Sequence, residues 1–189
     1  MPSTSELKRG VRFESEGIPF ITVDVSYQSP SARGATTLIK VRARDLLTGN
    51  LKAFTFKAGE RLPDPDIEIN KSQFLYKDGD DYNFMDTETF EQIMIPGEQL
   101  GDSTDYLTEN MEVKMMFYQG RPVSVEVPNV VELKIVETEP AVRGDTVTAV
   151  TKSAKMETGL VVQVPLFVAQ DETIRVDTRD GRYIERVKK

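Results

Sequence analysis

The sequence predicts an all-β protein made of three small β-barrel domains in tandem. Short segments of alternating apolar and polar residues recur along all 189 residues, and turn-forming residues separate them. Charge changes along the chain: residues 1–64 carry ten basic and seven acidic side chains, residues 65–128 four and fourteen, and residues 129–189 ten and ten. Proline-containing turn segments lie near both changes. We therefore predict domains at residues 1–64, 65–128 and 129–189.

Two alternating segments of the first domain predict a β-hairpin with a positively charged outer face. Residues 21–28 have apolar side chains at odd positions, as in a half-buried strand. Residues 38–44 alternate in the same way, and their polar members are all basic: Lys40, Arg42 and Arg44. Because successive side chains of a strand point to opposite faces, the three cations should share one face. Residues 52–57, with two alternating phenylalanines, predict a further strand.

The middle domain is expected to contain two hairpins and two short helices. Asp78-Gly79 and Gln119-Gly120 are the expected hairpin turns. The strands beside these turns should lie at residues 74–76, 82–85, 111–118 and 123–127. Residues 87–93 and 104–108 are predicted as the short helices, the second with Asp102 or Ser103 as its N-cap.

The third domain is expected to begin at Pro128-Asn129. Its strands should lie at residues 131–135, 160–168, 173–178 and 182–187, with a last hairpin turn at Asp180-Gly181. The segment 144–155 is polar and rich in threonine and serine, and we predict a mobile connection there.

Composition argues against an enzyme and against a metal site. The chain has no cysteine and no histidine, which removes the usual nucleophiles, the commonest general base and the best zinc ligands. An enzyme acting through two carboxylates would remain possible, but no pattern of acidic residues indicates such a pair. No signal segment and no long apolar run is present, so we expect a soluble, cytoplasmic protein without membrane contact.

The residues between the two hairpin strands form the candidate functional element, here called the tip loop (residues 29–37). A single long cation, Arg33, stands among small residues: Ser29, Pro30, Ser31, Ala32 and Gly34. An ordinary exposed loop would explain this composition. The other interpretation is a probe, in which small residues allow close approach and the guanidinium meets phosphates or base edges. The residues alone leave both interpretations open.

Several motifs resemble those of the elongation factor P family. They are Leu46-Leu47-Thr48-Gly49, Phe84-Met85 followed by residues 88–92, and, in the third domain, residues 131–140, 144–146, 158–159, 164–168 and 176–179. The resemblance covers the whole chain and rests on several independent motifs. It implies a first domain of the SH3-like KOW type, two OB-type barrels and an elongated L-shape resembling tRNA.

The resemblance also implies a function in translation. Such a factor binds the 70S ribosome at the E site beside peptidyl-tRNA, of the initiator or prolyl type, and contacts rRNA. There it promotes peptide bond formation at stalling sequences such as consecutive prolines. It acts as a monomer and needs no cofactor. The alternative is a single-stranded RNA-binding protein of the OB or cold-shock type, acting off the ribosome. That alternative needs clustered exposed aromatic residues, which the basic strand lacks.

By position, the resemblance assigns contacts to particular residues. The tip loop with Arg33 would reach the peptidyl-transferase centre and the tRNA end, and Lys40, Arg42 and Arg44 would hold the nucleic-acid backbone. Gly101, Asp102 and Ser103 match a loop that approaches the E-site codon and the small subunit, whereas Tyr183 and Arg186 match a third-domain contact with tRNA or the small subunit.

Two departures from the family pattern concern loops. The tip loop is slightly longer than usual and is similar to that of the arginine-type, long-loop branch of the family. In that branch an unmodified arginine is thought to act, although some arginine-bearing members are rhamnosylated, so Arg33 is a possible modification site. Asp171 stands where the family usually has glycine, and aspartate tolerates the left-handed conformation that such a turn needs.

Overall fold

The computed structural model describes residues 1–28, 36–139 and 151–187. Within these ranges the chain forms three antiparallel sheets, so the all-β class and the three barrel-like units are confirmed. Helical structure there is limited to one α-helical turn, α1 (Gly97–Leu100), and 3₁₀ helices at Thr4–Glu6 and Gly101–Tyr106. No helix in the described part of the chain is long and apolar enough to cross a membrane.

The first sheet has four strands in sequential order. They are β1 (Arg12–Ser15), β2 (Ile18–Gln28), β3 (Leu38–Asp45) and β4 (Leu51–Lys57). Phe13 and Phe20 form the centre of its core with Phe54 and Phe56, and their ring centroids lie 4.9 to 5.8 Å apart. Such aromatic contacts add to the free energy gained by burying apolar surface.

The alternation of β2 is interrupted, which the sequence did not reveal. Thr22, expected on the polar face, is buried, whereas Tyr27, expected on the apolar face, is largely exposed. The register of β2 against β3 shifts between Thr22 and Asp24, so an extra residue is accommodated in β2. A bulge of this kind changes the facing of the residues on one side of it.

The second sheet has five strands in the order β7-β6-β5-β8-β9. They are β5 (Ile67–Asp78), β6 (Asp81–Asp86), β7 (Gln92–Pro96), β8 (Glu112–Tyr118) and β9 (Arg121–Glu126). Both predicted hairpin turns are confirmed, because Asp78 pairs with Asp81 and Tyr118 pairs with Arg121.

The helix predicted at residues 87–93 is wrong. A carboxylate oxygen of Asp86 accepts hydrogen bonds from the backbone N–H groups of Glu88 and Thr89, which closes a turn instead. Strand β7 then begins at Gln92. The second predicted helix exists as the 3₁₀ helix Gly101–Tyr106, but it starts earlier and no side chain caps it.

The third sheet has five strands in the order β12-β11-β10-β13-β14. They are β10 (Val130–Thr138), β11 (Thr151–Met156), β12 (Val161–Pro165), β13 (Thr173–Asp177) and β14 (Arg182–Arg186). The predicted mobile connection is wrong from residue 151 onward, because β11 pairs with both β10 and β12 and buries Ala154 and Met156. Residues 144–150 lie outside the described residues.

A shared apolar cluster connects the first two sheets. Leu46, which follows β3, is fully buried together with Met116, Tyr118 and Val123 of the second sheet. Each small barrel alone buries limited apolar surface, so this cluster adds to the stability of both. The domain boundaries after residues 64 and 128 remain a proposal, since the packing does not stop at them.

Candidate nucleic-acid interface

The hairpin of β2 and β3 holds the tip loop at one end and contacts the second sheet at the other. The strands pair from Phe20–Asp45 to Gln28–Leu38, where the tip loop begins. Leu38 and Arg44 are six residues apart on β3, which corresponds to about 20 Å along an extended strand. Residues 29–35, with Arg33 and its neighbours Ser29, Pro30, Ser31, Ala32 and Gly34, lie outside the described residues.

The outer face of the hairpin carries the expected cations at two positions. Lys40 and Arg42 are exposed, whereas the intervening Ile39, Val41 and Ala43 are buried. Asp24 lies directly opposite Arg42 on β2 and reduces the local positive charge. Within the described ranges, neither Lys40 nor Arg42 forms an ion pair, so both remain available to a partner.

A further cation, Lys57, belongs to the same face and was missed by sequence reasoning. Lys57 lies opposite Leu38 on the neighbouring strand, next to the start of the tip loop, and is exposed. The alternation of Phe54 and Phe56 in β4 could have indicated it, because the residue that follows an inward-facing phenylalanine in a strand points outward.

Arg44 has a different environment from Lys40 and Arg42, which the alternation of β3 did not reveal. Only 18% of its side chain is exposed. Its Nη1 donates a hydrogen bond to the carbonyl oxygen of Gly49 at 2.9 Å, and its Nη2 lies 3.6 Å from Oδ1 of Asp102. The guanidinium is thus occupied within the protein, and we assign Arg44 to the contact between the first two domains.

The motif Leu46-Leu47-Thr48-Gly49 forms the other half of this contact. Nε2 of Gln99 in α1 donates hydrogen bonds to the carbonyl oxygens of Leu46 and Val123, at 3.1 and 3.0 Å. Gly49 has φ of 77° and lies against the backbone of Glu98, where any Cβ would clash with the carbonyl oxygen. Only glycine combines this conformation with such close approach.

Polar contacts extend the junction between these two domains. The hydroxyl of Tyr118 donates to Oε2 of Glu14 at 3.2 Å, and burial together with this carboxylate raises the pKa of Tyr118. Nη2 of Arg12 lies 3.1 Å from Oε2 of Glu126. With the apolar cluster around Leu46, these contacts of β1 hold the first sheet on the middle domain.

The predicted codon-contacting loop Gly101, Asp102 and Ser103 faces the first domain. Nη2 of Arg9 lies 3.4 Å from Oδ2 of Asp102, whose other oxygen is near Arg44. The hydroxyl of Ser103 donates to the carbonyl oxygen of Val125 at 3.5 Å. These contacts assign Asp102 an intramolecular partner that sequence reasoning missed, because both arginines are distant along the chain. Contact of the loop with the small subunit remains a prediction.

Tyr183 and Arg186 both lie on β14. The ring of Tyr183 packs against the core of the third sheet. Nη1 of Arg186 is 2.8 Å from Oε1 of Glu172, and its guanidinium lies 5.8 Å from the ring centroid of the exposed Phe167. The N–H of Ala169 and the guanidinium of Arg186 lower the pKa of Glu172. Arg186 is therefore partly neutralised, although its side chain reaches the surface. Its contact with tRNA or the small subunit stays a prediction.

The expectation that Asp171 adopts a left-handed conformation is confirmed. Its φ is 67°, the left-handed conformation that replacement of a glycine requires. The Nζ of Lys134 lies 3.1 Å from its Oδ1. Among the described residues, no group of three or more acidic side chains is placed to hold a metal ion.

Comparisons with known proteins cover the same three units. The family model for the elongation factor P KOW-like domain matches residues 3–62, and that for the elongation factor P OB domain matches residues 67–125. The model for the C-terminal domain of elongation factor P matches residues 131–186. The chain belongs to the elongation factor P family. The KOW-like and OB types expected for the first two domains are thereby confirmed.

Full-length relatives agree with this assignment. Elongation factor P of Moorella thermoacetica is 43% identical over 186 residues, covering 98% of this chain and 100% of the relative. Elongation factor P 1 of Geobacter sulfurreducens is 46% identical over the same length, with the same coverage. The chain is a translation elongation factor. The alternative interpretations, an enzyme acting through two carboxylates and an RNA-binding protein acting off the ribosome, are therefore wrong.

Proposed function

We propose that this elongation factor P family member binds the ribosomal E site beside peptidyl-tRNA and promotes peptide bond formation at consecutive prolines. The observation that carries the proposal is the β2–β3 hairpin. It is fixed to the middle domain by Arg44 and Leu46 at one end, and it presents the tip loop at the other. A hairpin held in this way fixes the strand ends Gln28 and Leu38, between which the tip loop with Arg33 lies in the sequence, relative to the middle domain.

The factor would act by positioning the tRNA ends and not by chemical catalysis. Peptide bond formation needs two tRNA ends in register, and holding reactants in a reactive geometry can account for a large part of a rate enhancement. Proline has a fixed φ and a secondary amine, so consecutive prolines strain the nascent chain and misalign the ends. Arg33 beside the tRNA end would stabilise the reactive arrangement without forming or breaking a bond itself.

Lys40, Arg42 and Lys57 would contact the backbone of the tRNA acceptor stem or rRNA. They share the outer face of the hairpin in a domain with ten basic and seven acidic side chains, whereas the middle domain carries four basic and fourteen acidic ones. Charge separation of this kind orients a protein in the field of an anionic partner. We further propose that the factor works as a monomer in the cytoplasm.

The length of the tip loop supports action by an unmodified arginine. Nine residues lie between Gln28 and Leu38, the last pair of the β2–β3 ladder. A long loop extends the reach of the backbone, which a shorter loop would have to gain from an added chemical group. The intact mass of the natively expressed protein tests this directly, since the unmodified chain predicts the sequence mass and a rhamnosylated Arg33 gives a heavier species.

A reconstituted translation assay tests the function itself. Two reporters are compared, one with a run of consecutive prolines and one in which alanines replace them. We expect the protein to accelerate full-length synthesis of the proline reporter and to leave the alanine reporter unchanged. Equal acceleration of both reporters, or of neither, would contradict the proposal.

A further inference from the structure

The 3₁₀ helix Gly101–Tyr106, here called the bridging helix, contacts both neighbouring domains. Near its start, the carboxylate of Asp102 lies between the guanidinium groups of Arg9 and Arg44 of the first domain, at 3.4 and 3.6 Å. At its end, Tyr106 is buried in the apolar core of the third sheet. A six-residue element of the middle domain is thus attached to the domains on either side of it.

The contact with the first domain is closely packed. Gly101 has φ of 59°, and a Cβ at this position would lie 2.6 Å from Cζ of Arg44. The guanidinium of Arg44 is also fixed from its other side by the carbonyl oxygen of Gly49. Arg44 is therefore held between the turn that follows β3 and the bridging helix. Movement of the β2–β3 hairpin relative to this helix would break these contacts.

The contact with the third domain is apolar. The ring of Tyr106 packs in one cluster with Val131 of β10 and Val176 of β13. Its hydroxyl lies against Gly181 in the turn between β13 and β14, where an added Cβ would be 3.3 Å away. Burial, followed by the nearby carboxylate of Asp105, raises the pKa of this hydroxyl.

We propose that Asp102 and Tyr106 are positioning residues, which together fix the direction of the β2–β3 hairpin relative to the third domain. The inference rests on the proposed function in one step only, namely that the tip loop and the third domain contact the ribosome at the same time. A factor with two distant contacts needs a defined span, because small displacements of a positioning group are costly in rate. Asp102 then acts within the protein and not on the codon.

Distance measurements on the free protein test whether Asp102 and Tyr106 fix the direction of the hairpin relative to the third domain. The chain has no cysteine, so Thr55→Cys on β4 and Val161→Cys on β12 introduce unique, exposed sites for a pair of spin labels. We expect one narrow distance distribution for the labelled protein. The Asp102→Asn variant should broaden it, since the charge between the two arginines is lost. The matched control is Asp105→Asn, which removes a carboxylate from the same helix and should leave the distribution unchanged.

Tyr106 provides a second pair of variants. Tyr106→Phe keeps the buried ring and should retain the narrow distribution, whereas Tyr106→Ala removes the ring and should broaden it. An unchanged distribution in either Asp102→Asn or Tyr106→Ala would overturn the proposal. If Tyr106→Ala fails to fold, Asp102→Asn still tests the proposal, because this substitution removes no buried apolar group and should not prevent folding.

Activity with the proline reporter tests whether this fixed direction is needed for the proposed function. We expect Asp102→Asn to lose between about tenfold and about a hundredfold of the acceleration, as for a displaced positioning group, and Asp105→Asn to lose none. Loss of acceleration in Asp102→Asn without a broadened distribution would overturn the proposal in favour of a direct ribosomal contact. If the proposed function itself is wrong, Arg33→Ala should keep full activity with the proline reporter. The distance distributions of the Asp102 and Tyr106 variants would not be affected by that result.

Discussion

Leu46 of the first domain and Gln99 of the middle domain are joined by a hydrogen bond from Nε2 of Gln99 to the carbonyl oxygen of Leu46, 3.1 Å long. The side chain of Leu46 is fully buried in the apolar cluster between the two sheets. The base of the hairpin is thus held by both apolar and polar contacts.

Leu46→Ala should destabilise the junction strongly. Removing a fully buried leucine side chain costs about 2–5 kcal/mol of the free energy of unfolding, because apolar contacts are lost and a cavity remains. Its neighbour provides the control, since the side chain of Leu47 is 39% exposed and Leu47→Ala should change stability by only about 0.5 kcal/mol. Urea denaturation of the two variants checks this difference. Equal losses would argue against the packing described for Leu46.

Gly49→Ala should cost more than the same substitution at another glycine with a positive φ. Gly49 and Gly59 have φ of 77° and 84°, but only Gly49 lies against another backbone segment. Each variant should lose about 1–2 kcal/mol from the left-handed conformation, and Gly49→Ala should lose additional stability through its clash with Glu98. Thermal denaturation of both variants measures the difference. A Gly59→Ala variant that is as unstable as Gly49→Ala would contradict close approach at Gly49.

Lys40 and Arg42 should determine how steeply ribosome affinity falls with salt. Each phosphate contact that is removed should reduce the slope of log K against log salt by about 0.7–0.9. Lys40→Ala and Arg42→Ala should each show this reduction in ribosome-binding measurements at several salt concentrations. Arg121→Ala, which removes an exposed arginine of the middle domain, is the control and should keep the wild-type slope.

The same measurement separates Arg44 from these two residues. Because its guanidinium is occupied by Gly49 and Asp102, Arg44→Ala should lower stability and leave the salt slope unchanged. We expect the wild-type slope itself to be less steep than that of a uniformly basic RNA-binding protein, since the middle domain is acidic. A reduced slope for Arg44→Ala would show that this residue also contacts phosphate.

Asp86 should make the stability of the middle domain depend on pH in the acidic range. Hydrogen bonds from the backbone N–H groups of Thr89 and Glu88 lower its pKa. The ionised form is therefore favoured by folding, so its contribution is present above the unfolded pKa of about 3.9 and is lost as pH falls through the lower folded value. The stability difference between wild type and Asp86→Ala, measured by urea denaturation, should shrink between about pH 5 and pH 2. A constant difference would contradict this role.

Much of the fold could be predicted from local pattern. The alternation of Ile39, Val41 and Ala43 with basic residues correctly placed β3, and Asp78-Gly79 correctly placed a hairpin turn. Strand β11 was missed because its residues are mostly polar and only Ala154 and Met156 are buried. Its structure depends on pairing with both neighbouring strands, which a local pattern does not record.

The candidate site was predicted less completely, for a related reason. Lys40 and Arg42 could be assigned to an exposed face because their facing depends on strand alternation alone. Arg44 continues the same alternation, yet its environment is determined by Asp102 of another domain. Contacts between residues so far apart in sequence leave no periodic signal, so the junction between the domains became apparent only in the structure.

We propose that Arg33 of the tip loop promotes peptide bond formation at consecutive prolines. The decisive experiment is Arg33→Ala in the reconstituted translation assay, with Arg121→Ala as the matched control. We predict that Arg33→Ala binds the ribosome but no longer accelerates synthesis of the proline reporter, whereas Arg121→Ala retains full activity. Wild-type acceleration by Arg33→Ala would contradict the claim.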